Sequence, residues 1–306
     1  MVTAAAEKGL TWIENHRDEF SPRRGRDPWE QTMLLKPFSE LMLTVTVLRR
    51  DPVLCRRLEP IVQWAWHEAE DGALLIDLTS AKVELVEAVG LYADFAENGH
   101  HNPALRQWLE HLVCTDVAAG LELPPWRDVA LRYNLARLDL SGPPVLPAGS
   151  WLGARPEPWT ISLTTGYPMT HEVFYLTNFG AAPDNLAVEI REYLHWWLPA
   201  WRDCFRDPEH LDLLAELVMT AACIHGDPGQ DVLDLLTIRQ FDDGSVAGPR
   251  GAGRELPSPP DDAERRRFLS DYHTTLVSVL ALTCAGWNQS RPPHHLPETT
   301  PTPRSI

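Results

Sequence analysis

The sequence lacks the motifs that identify several large classes of enzyme. Its 306 residues contain no P-loop, no glycine fingerprint of a dinucleotide-binding fold, no Gly-x-Ser-x-Gly nucleophile elbow and no protein-kinase signature. The aspartate-rich motifs that bind diphosphate through magnesium, or that protonate isoprenoids, are missing too, since Asp242-Asp243 predicts a turn and Asp261-Asp262 a helix cap. Motif content therefore leaves the reaction open.

Long apolar runs, surplus positive charge and a regular set of cysteines are also absent. No apolar run approaches the roughly 20 residues of a membrane-spanning helix, and residues 1–20 lack a basic region followed by an apolar stretch. A net charge of −16 argues against nucleic acid as a partner, because binding phosphates requires a surplus of Lys and Arg. The five cysteines are widely spaced and typical of buried free thiols. We therefore expect a cytoplasmic protein that binds neither membranes nor nucleic acid.

Apolar residues recur at helical spacing along most of the chain, while alternating β-branched runs are nearly absent. With 44% hydrophobic residues, the chain can bury a substantial core. Asp51-Pro52 and Asn102-Pro103 each place a capping side chain before a proline in the first helical position. Helices are predicted over residues 2–20, 30–50, 51–70, 80–97, 104–119, 125–138, 185–204, 207–223, 231–240 and 261–287.

The helical pattern predicts a single domain over residues 1–288. The proline-rich stretch 141–158 is expected to cross the surface without forming a helix, and residues 289–306 to form a disordered tail. Antiparallel helical hairpins can form an open solenoid, a bundle or a closed α/α toroid. Gln240 and the turn Asp243-Gly244-Ser245 resemble the turn that ties hairpins together in toroids of the terpenoid cyclase and prenyltransferase type. We therefore expect an all-α fold in the form of an α/α toroid.

Residues 164–180 hold the densest group of functional side chains, with Tyr167, His171 and Glu172 as catalytic candidates. Thr170 can cap a helix that begins at His171, and Pro168 disfavours helix before it. His171 would then lie at a helix N-terminus, where the dipole lowers the pKa of imidazole and favours the neutral form that acts as a base or metal ligand. The alternative is a packed histidine that is hydrogen-bonded to a neighbour.

The segment Cys223-Ile224-His225-Gly226 ends a strongly apolar helix, with Gly226 expected in the left-handed conformation. It resembles the adjacent Cys-His-Gly zinc ligands of lanthionine cyclases. Because Ile224 separates the cysteine from the histidine, and the Trp-Cys context of the other ligand is absent, that activity is not transferred. His225 is either a helix cap or a ligand, and Cys223 is a further candidate ligand.

His273 precedes an almost wholly apolar helical run and needs a partner there, because an unpaired imidazole N–H costs about 1–3 kcal/mol. If His171, His225 and His273 converge, with Glu172 or Cys223 as a further ligand, they could hold zinc or iron and leave a position for water. Without a metal, the same histidines could divide proton transfer, one as base and another as acid.

The sequence is rich in tryptophan, with 12 residues against 8 phenylalanines. Tyr193, Trp197 and Trp201 share one face of a predicted helix, a pattern more typical of a core than of a site. If this face borders a cavity, its rings would suit a bulky apolar or cationic substrate, because indole faces attract positive charge. The candidate pocket residues are Trp159, Phe174, Tyr175 and Trp197.

Several segments together resemble a known family. Residues 35–41 (LKPFSEL), 167–180, 234–236 (DLL), 243–245 (DGS) and 273–277 (HTTLV) are similar to a poorly characterised actinobacterial family of helical proteins often encoded beside natural-product genes. The resemblance covers nearly the whole chain. It implies a setting in specialised metabolism and carries no established reaction.

The leading hypothesis is an enzyme of bacterial specialised metabolism that acts on a small molecule through a histidine-based site, with or without a metal, at the mouth of a toroid. A lyase, cyclase or isomerase reaction fits such a site. The second hypothesis is a non-catalytic scaffold that binds a partner enzyme or carrier protein. The third is a metal-free cyclase with a Trp-lined cavity.

Overall fold

The computed structural model describes residues 3–81, 86–115, 117, 120–258 and 262–289. Within these ranges every regular element is helical, which confirms the all-α prediction. The α-helices are α1 (Ala4–Asn15), α2 (Pro28–Leu48), α3 (Pro52–Glu68), α4 (Ala73–Ala81), α5 (Val86–Glu97), α6 (Pro103–Cys114), α7 (Pro125–Arg137), α8 (Trp151–Ala154), α9 (Leu163–Leu176), α10 (Val188–Cys204), α11 (Leu211–Cys223), α12 (Gln230–Arg239) and α13 (Ala263–Gln289).

The two helix starts predicted from a cap followed by proline are confirmed. Asp51 Oδ1 accepts hydrogen bonds from the first-turn amides of α3, at 2.8 Å from the nitrogen of Val53 and 3.2 Å from that of Leu54. Asn102 Oδ1 accepts from the nitrogen of Leu105 at 2.9 Å and so caps α6. Each cap satisfies amides that have no partner inside the helix.

Other predicted boundaries differ from the structure. The first predicted helix ends at Asn15 and is followed by a 3₁₀ turn over Arg17–Phe20. The prediction that stretch 141–158 is free of helix is wrong for Trp151–Ala154, because the eight residues between Pro147 and Pro156 contain no proline. Ser150 caps this single turn by accepting from the nitrogen of Gly153 at 3.0 Å. The tail predicted to be disordered lies, apart from residue 289, outside the described residues.

Helix α9 begins eight residues earlier than predicted. Ser162 caps it through a capping box, in which its own amide donates to Thr165 Oγ1 at 2.9 Å. Pro168 therefore lies inside the helix, although a proline there removes a backbone hydrogen bond. Packing of α9 against both α7 and α11 offsets this loss. His171 lies in the second half of α9, so the helix-dipole argument for its pKa was wrong.

Contacts between helices form a closed cycle. Along this cycle α2 contacts α5, α5 contacts α7, α7 contacts α9, α9 contacts α11, α11 contacts α13, and α13 contacts α2 again. Five other helices pack against single members of the cycle, namely α1 on α13, α3 on α2, α8 on α9, and both α10 and α12 on α11. Such a cycle is compatible with an α/α toroid, which stays a prediction.

Helix α11 is the most deeply buried helix, because every side chain from Leu211 to Cys223 is buried. It contacts α9 and α13 within the cycle and α10 and α12 beside it. No helix in the described ranges is both long enough and apolar enough to cross a bilayer.

Candidate functional site

The cycle of helices surrounds a cavity of about 590 Å³. Each of the six helices of the cycle contributes to its wall, so residues that are far apart in sequence face one space. Side chains with functional chemistry on this wall are Glu40 of α2, Asp94 of α5, Trp126 of α7, His171 of α9, Glu216 of α11 and His273 of α13.

A buried carboxylate joins two of the three predicted histidines. Glu216 is 1% exposed, and its Oε1 lies 3.5 Å from His273 Nε2 while its Oε2 lies 3.6 Å from His171 Nδ1. The hydroxyl of Thr170 donates a hydrogen bond to the same Oε2. The structure thus brings His171 and His273 together, at the level of Glu216 on the cavity wall.

The neutral tautomer of His171 is fixed by its own helix. Its Nδ1 lies 2.7 Å from the carbonyl oxygen of Tyr167, which can only accept a hydrogen bond, so Nδ1 carries the proton. In the neutral ring, Nε2 then keeps its lone pair, and no residue of the described chain hydrogen-bonds to it. The rings of Trp126 and Phe174 lie 5.1 and 5.8 Å from the imidazole, centroid to centroid. His171 is therefore equipped to accept a proton from a molecule in the cavity.

His273 is set up in the opposite way. Its Nδ1 lies 3.0 Å from Glu40 Oε2 and its Nε2 lies 3.5 Å from Glu216 Oε1, so each ring nitrogen faces a carboxylate. Burial on its own disfavours the charged ring, but the charges and hydrogen bonds of Glu40 and Glu216 outweigh it and raise the pKa of His273 to about 10. In Glu40, burial would raise the pKa, but the charge and hydrogen bond of His273 lower it instead. His273 is a cation at neutral pH.

Tyr167 and Asp212 form a second pair on the wall, one helical turn from the histidines. The Tyr167 hydroxyl donates to Asp212 Oδ2 at 2.7 Å, and Asp212 is only 5% exposed. Burial, with the negative charge of Asp212, raises the pKa of Tyr167 well above its usual value, so Tyr167 stays a phenol. Tyr167 precedes His171 by four residues on α9, as Asp212 precedes Glu216 on α11.

His225 does not join the other histidines. It is the left-handed residue that ends α11, with φ of 55°, and the amide of Gly226 donates to the carbonyl of Ala221 at 2.8 Å. The left-handed position was therefore assigned to the wrong residue, Gly226. His225 follows Glu216 by nine residues, which corresponds to about 13 Å along the axis of α11 at the rise of an α-helix. His225 does not line the cavity.

The predicted metal ligands do not assemble into one site. Cys223 is buried off the cavity wall, and burial raises the pKa of its thiol to about 12. Nδ1 of His171 and both nitrogens of His273 face protein oxygens. In the part of the chain that the structure describes, no three His, Cys, Asp or Glu side chains are grouped so that they could hold a metal ion. His225 and Cys223 therefore do not share the location of His171 and His273, and bound zinc or iron stays a prediction.

Glu172, predicted as catalytic, faces away from the cavity. It is 1% exposed, accepts from Ser150 Oγ at 3.0 Å, and has its pKa raised to about 7 by burial. Its partner Ser150 is the residue that caps α8, so Glu172 supports the packing of α8 on α9.

The aromatic candidates divide into two groups. Phe174 and Tyr175 line the cavity as predicted. Trp159 and Trp197 do not line it, and they are 76% and 38% exposed. Trp201 is a core residue whose indole nitrogen donates to the carbonyl of Pro158 at 3.0 Å. The predicted stripe is therefore mainly core, with Trp197 at its surface edge.

Sequence reasoning missed the acidic side of the site, which consists of Glu40, Asp212 and Glu216. A signal was present in α11, where Asp212 and Glu216 are the charged residues of a helix whose every side chain is buried. Burial of a carboxylate is costly unless it has partners, so two of them one turn apart indicate a polar site.

The fold and the cavity define an all-helical protein whose cavity is lined by histidines and carboxylates. The chain belongs to the family described as a domain of unknown function, DUF6895, whose model matches residues 6–283. No curated protein and no solved structure matches the chain.

Proposed function

We propose that the protein is a cytoplasmic enzyme that performs metal-free acid–base chemistry on a small molecule inside the cavity of an α/α toroid. The observation that carries this proposal is the pair of histidines that Glu216 brings together with different hydrogen-bond partners. In its neutral form His171 has an Nε2 lone pair that no described residue binds, whereas both nitrogens of His273 face carboxylates that maintain its positive charge. Such a pair suits isomerase, lyase or cyclase reactions, in which a proton leaves one position while negative charge develops at another.

The two histidines have separate roles in this proposal. His171 Nε2 accepts a proton from the substrate, and the Tyr167 carbonyl holds the ring in the required tautomer. His273 keeps its charge through Glu40 and Glu216, and that charge offsets part of the negative charge of these two carboxylates beside the reacting substrate. In an isomerase the proton returns to a different atom; in a lyase a leaving group departs instead.

The segments that carry the family resemblance support a small-molecule site. Lys36, Ser39 and Glu40 of segment 35–41 line the cavity, as do His171 of segment 167–180 and His273 of segment 273–277. On the strength of this resemblance we propose that the reaction belongs to bacterial specialised metabolism. The third hypothesis, a Trp-lined cyclase cavity, has less support, because Trp126 is the single tryptophan on this wall in the described chain.

Two exposed tryptophans favour a second candidate function, a scaffold that binds a partner enzyme or carrier protein. Trp159 is 76% exposed and Trp196 is 52% exposed, and tryptophan is enriched where proteins bind one another. Neither residue lines the cavity, so partner binding is compatible with catalysis.

Hydrogen exchange tests the proposed reaction without a known substrate. The protein is incubated in D2O with a panel of small ketones and aldehydes that carry a C–H bond next to the carbonyl, half of them with an amino group. Wild-type protein should accelerate deuterium incorporation into at least one compound, and His171→Gln should lose about 10²–10⁴-fold of that rate. Glu172→Gln is the matched control, because it changes the adjacent residue off the cavity. No exchange across the panel, or equal rates in wild type and His171→Gln, would contradict the proposal.

A further inference from the structure

The charges of the cavity wall do not balance among the described residues. Some carboxylates have a cation of their own. These pairs are Glu87 with Arg127 at 2.7 Å, Asp94 with Arg137 at 2.7 Å, and Glu255 with Lys36 at 3.8 Å. Glu40 and Glu216, by contrast, share the single charge of His273. Negative charge therefore exceeds positive charge around the histidines.

Asp212 adds to this excess, because no cation of the described chain pairs with it. Its oxygens accept from two neutral donors, the Tyr167 hydroxyl at 2.7 Å and the amide of Leu213 at 2.8 Å. A carboxylate that is 95% buried needs a counter-charge to remain ionised at low cost. The open space beside it is where such a charge would be bound.

Aromatic rings enclose the same space. Trp126, Tyr167, Phe174, Tyr175 and Tyr272 all contribute to the wall. The faces of such rings attract an organic cation, and the attraction strengthens when the cation is removed from water. A small inorganic ion would not need a space of about 590 Å³ or an aromatic wall.

A buried hydroxyl without a partner points to a polar ligand independently of the carboxylates. Thr274 lines the cavity, is fully buried, and its Oγ1 has no hydrogen-bond partner among the described residues. An unpaired buried polar group is costly, so a ligand with an N–H or O–H group would satisfy it.

We infer that the substrate is an organic amine whose ammonium group binds Asp212 and the oxygen of Tyr167 against the aromatic wall. Asp212 and Glu216 are four residues apart on α11, so the bound nitrogen lies about 6 Å from the level of the histidines. The atom of the substrate that reacts with the histidines is therefore about 6 Å from its nitrogen. Calling this amine a substrate rests on the proposed function, whereas its binding at Asp212 can be tested alone.

The test compares phenethylamine with 2-phenylethanol, its uncharged analogue, by calorimetric titration of the full chain at neutral pH. Wild-type protein should bind the amine tighter than the alcohol by about tenfold or more. Asp212→Asn keeps an oxygen for Tyr167 but removes the charge, so it should lose about tenfold or more in amine affinity and less than about twofold in alcohol affinity. Asp234→Asn makes the same chemical change on the exposed face of α12 and should leave both affinities within about twofold.

Equal affinity for amine and alcohol in wild-type protein would overturn the inference, and this result needs no variant to fold. An equal loss of amine affinity in Asp234→Asn and Asp212→Asn would overturn it too. The amine would then respond to the net negative charge of the whole protein and not to a contact with Asp212. His171→Gln separates the two proposals, since it should abolish hydrogen exchange and still bind phenethylamine. Selective amine binding without exchange would reject the proposed reaction alone.

Discussion

Glu172 is a carboxylic acid buried beside a single hydroxyl, with no cation to stabilise its ionised form. Burial raises its pKa from the ordinary 4.5 to about 7, and Ser150 is its hydrogen-bond partner. The folded state therefore binds a proton more tightly than the unfolded state does, and stability falls as pH rises from 4.5 to about 7. Glu172→Gln removes this titration. Above pH 7 it should be more stable than wild type by on the order of 2–3 kcal/mol, and near pH 4.5 about equally stable.

Urea denaturation at several pH values measures this difference. Glu189→Gln, on the exposed face of α10, is the control and should follow the wild-type curve throughout. If the stabilities of wild type and Glu172→Gln run parallel from pH 5 to pH 8, burial does not hold the proton on Glu172.

The positive charge of His273 depends on Glu40, because Glu40 helps to raise the pKa of the imidazole. Glu40 contributes both a charge and a hydrogen bond that raise the pKa of the imidazole to about 10. Glu40→Gln should therefore lower that pKa by about one unit or more, which nitrogen NMR of histidine-labelled protein would detect. Glu255→Gln also removes a carboxylate from the cavity wall but leaves the contacts of His273 intact, so it should shift the pKa far less. Equal shifts in the two variants would show that Glu40 has no special role.

Residue type and local context predicted part of the site. His171, His273, Tyr167, Phe174 and Tyr175 were candidates, and all of them line the cavity. Glu40 was missed because nothing near it in sequence marks it, and its partner His273 is 233 residues away. A contact at that separation depends on how the cycle of helices closes, which local pattern does not contain.

At the scale of elements, prediction succeeded where the signal is local. Asp51 and Asn102 cap their helices because each side chain bonds to amides within three residues. It failed at α9, where Pro168 indicated a break and the structure has a continuous helix. The contacts that stabilise α9 against this proline come from α7 and α11, which are distant in sequence.

Pro168 therefore weakens α9, and its replacement should stabilise the protein. Pro168→Ala restores an amide that can donate to the Thr164 carbonyl, and the gain exceeds the entropy that alanine adds to the unfolded chain. We expect an increase of about 1–2 kcal/mol in the free energy of unfolding, measured by urea denaturation. Pro28→Ala is the control, because proline suits the first turn of α2 and its loss should cost about 0.5–1 kcal/mol. Destabilisation by Pro168→Ala would mean that the proline is required for the shape of α9.

At the scale of the molecule, the N-terminal helix is held by a turn near the other end of the chain. Gln240 Nε2 donates to the carbonyls of Ala5 at 2.9 Å and Gly244 at 3.0 Å, so the turn after α12 is tied to α1. Helix α1 in turn packs on α13, the helix that carries His273 and Thr274. From its residues, this turn resembles the turn that ties hairpins together in toroids. The sequence did not predict that the turn contacts α1, because Ala5 is 235 residues away from Gln240.

Gly244 is where this tie can be tested. It has φ of 97°, and a Cβ there would collide with the backbone carbonyl of Lys8 in α1. Gly251 has a similar φ of 91°, but the nearest atom to its Cβ would be 3.8 Å away. Gly251→Ala should therefore cost about 1 kcal/mol from backbone strain alone, and Gly244→Ala about 2–4 kcal/mol because α1 must also move off the turn. Urea denaturation of the two variants gives the difference, and equal losses would show that the close approach of the turn to α1 contributes nothing to the stability of the closed cycle.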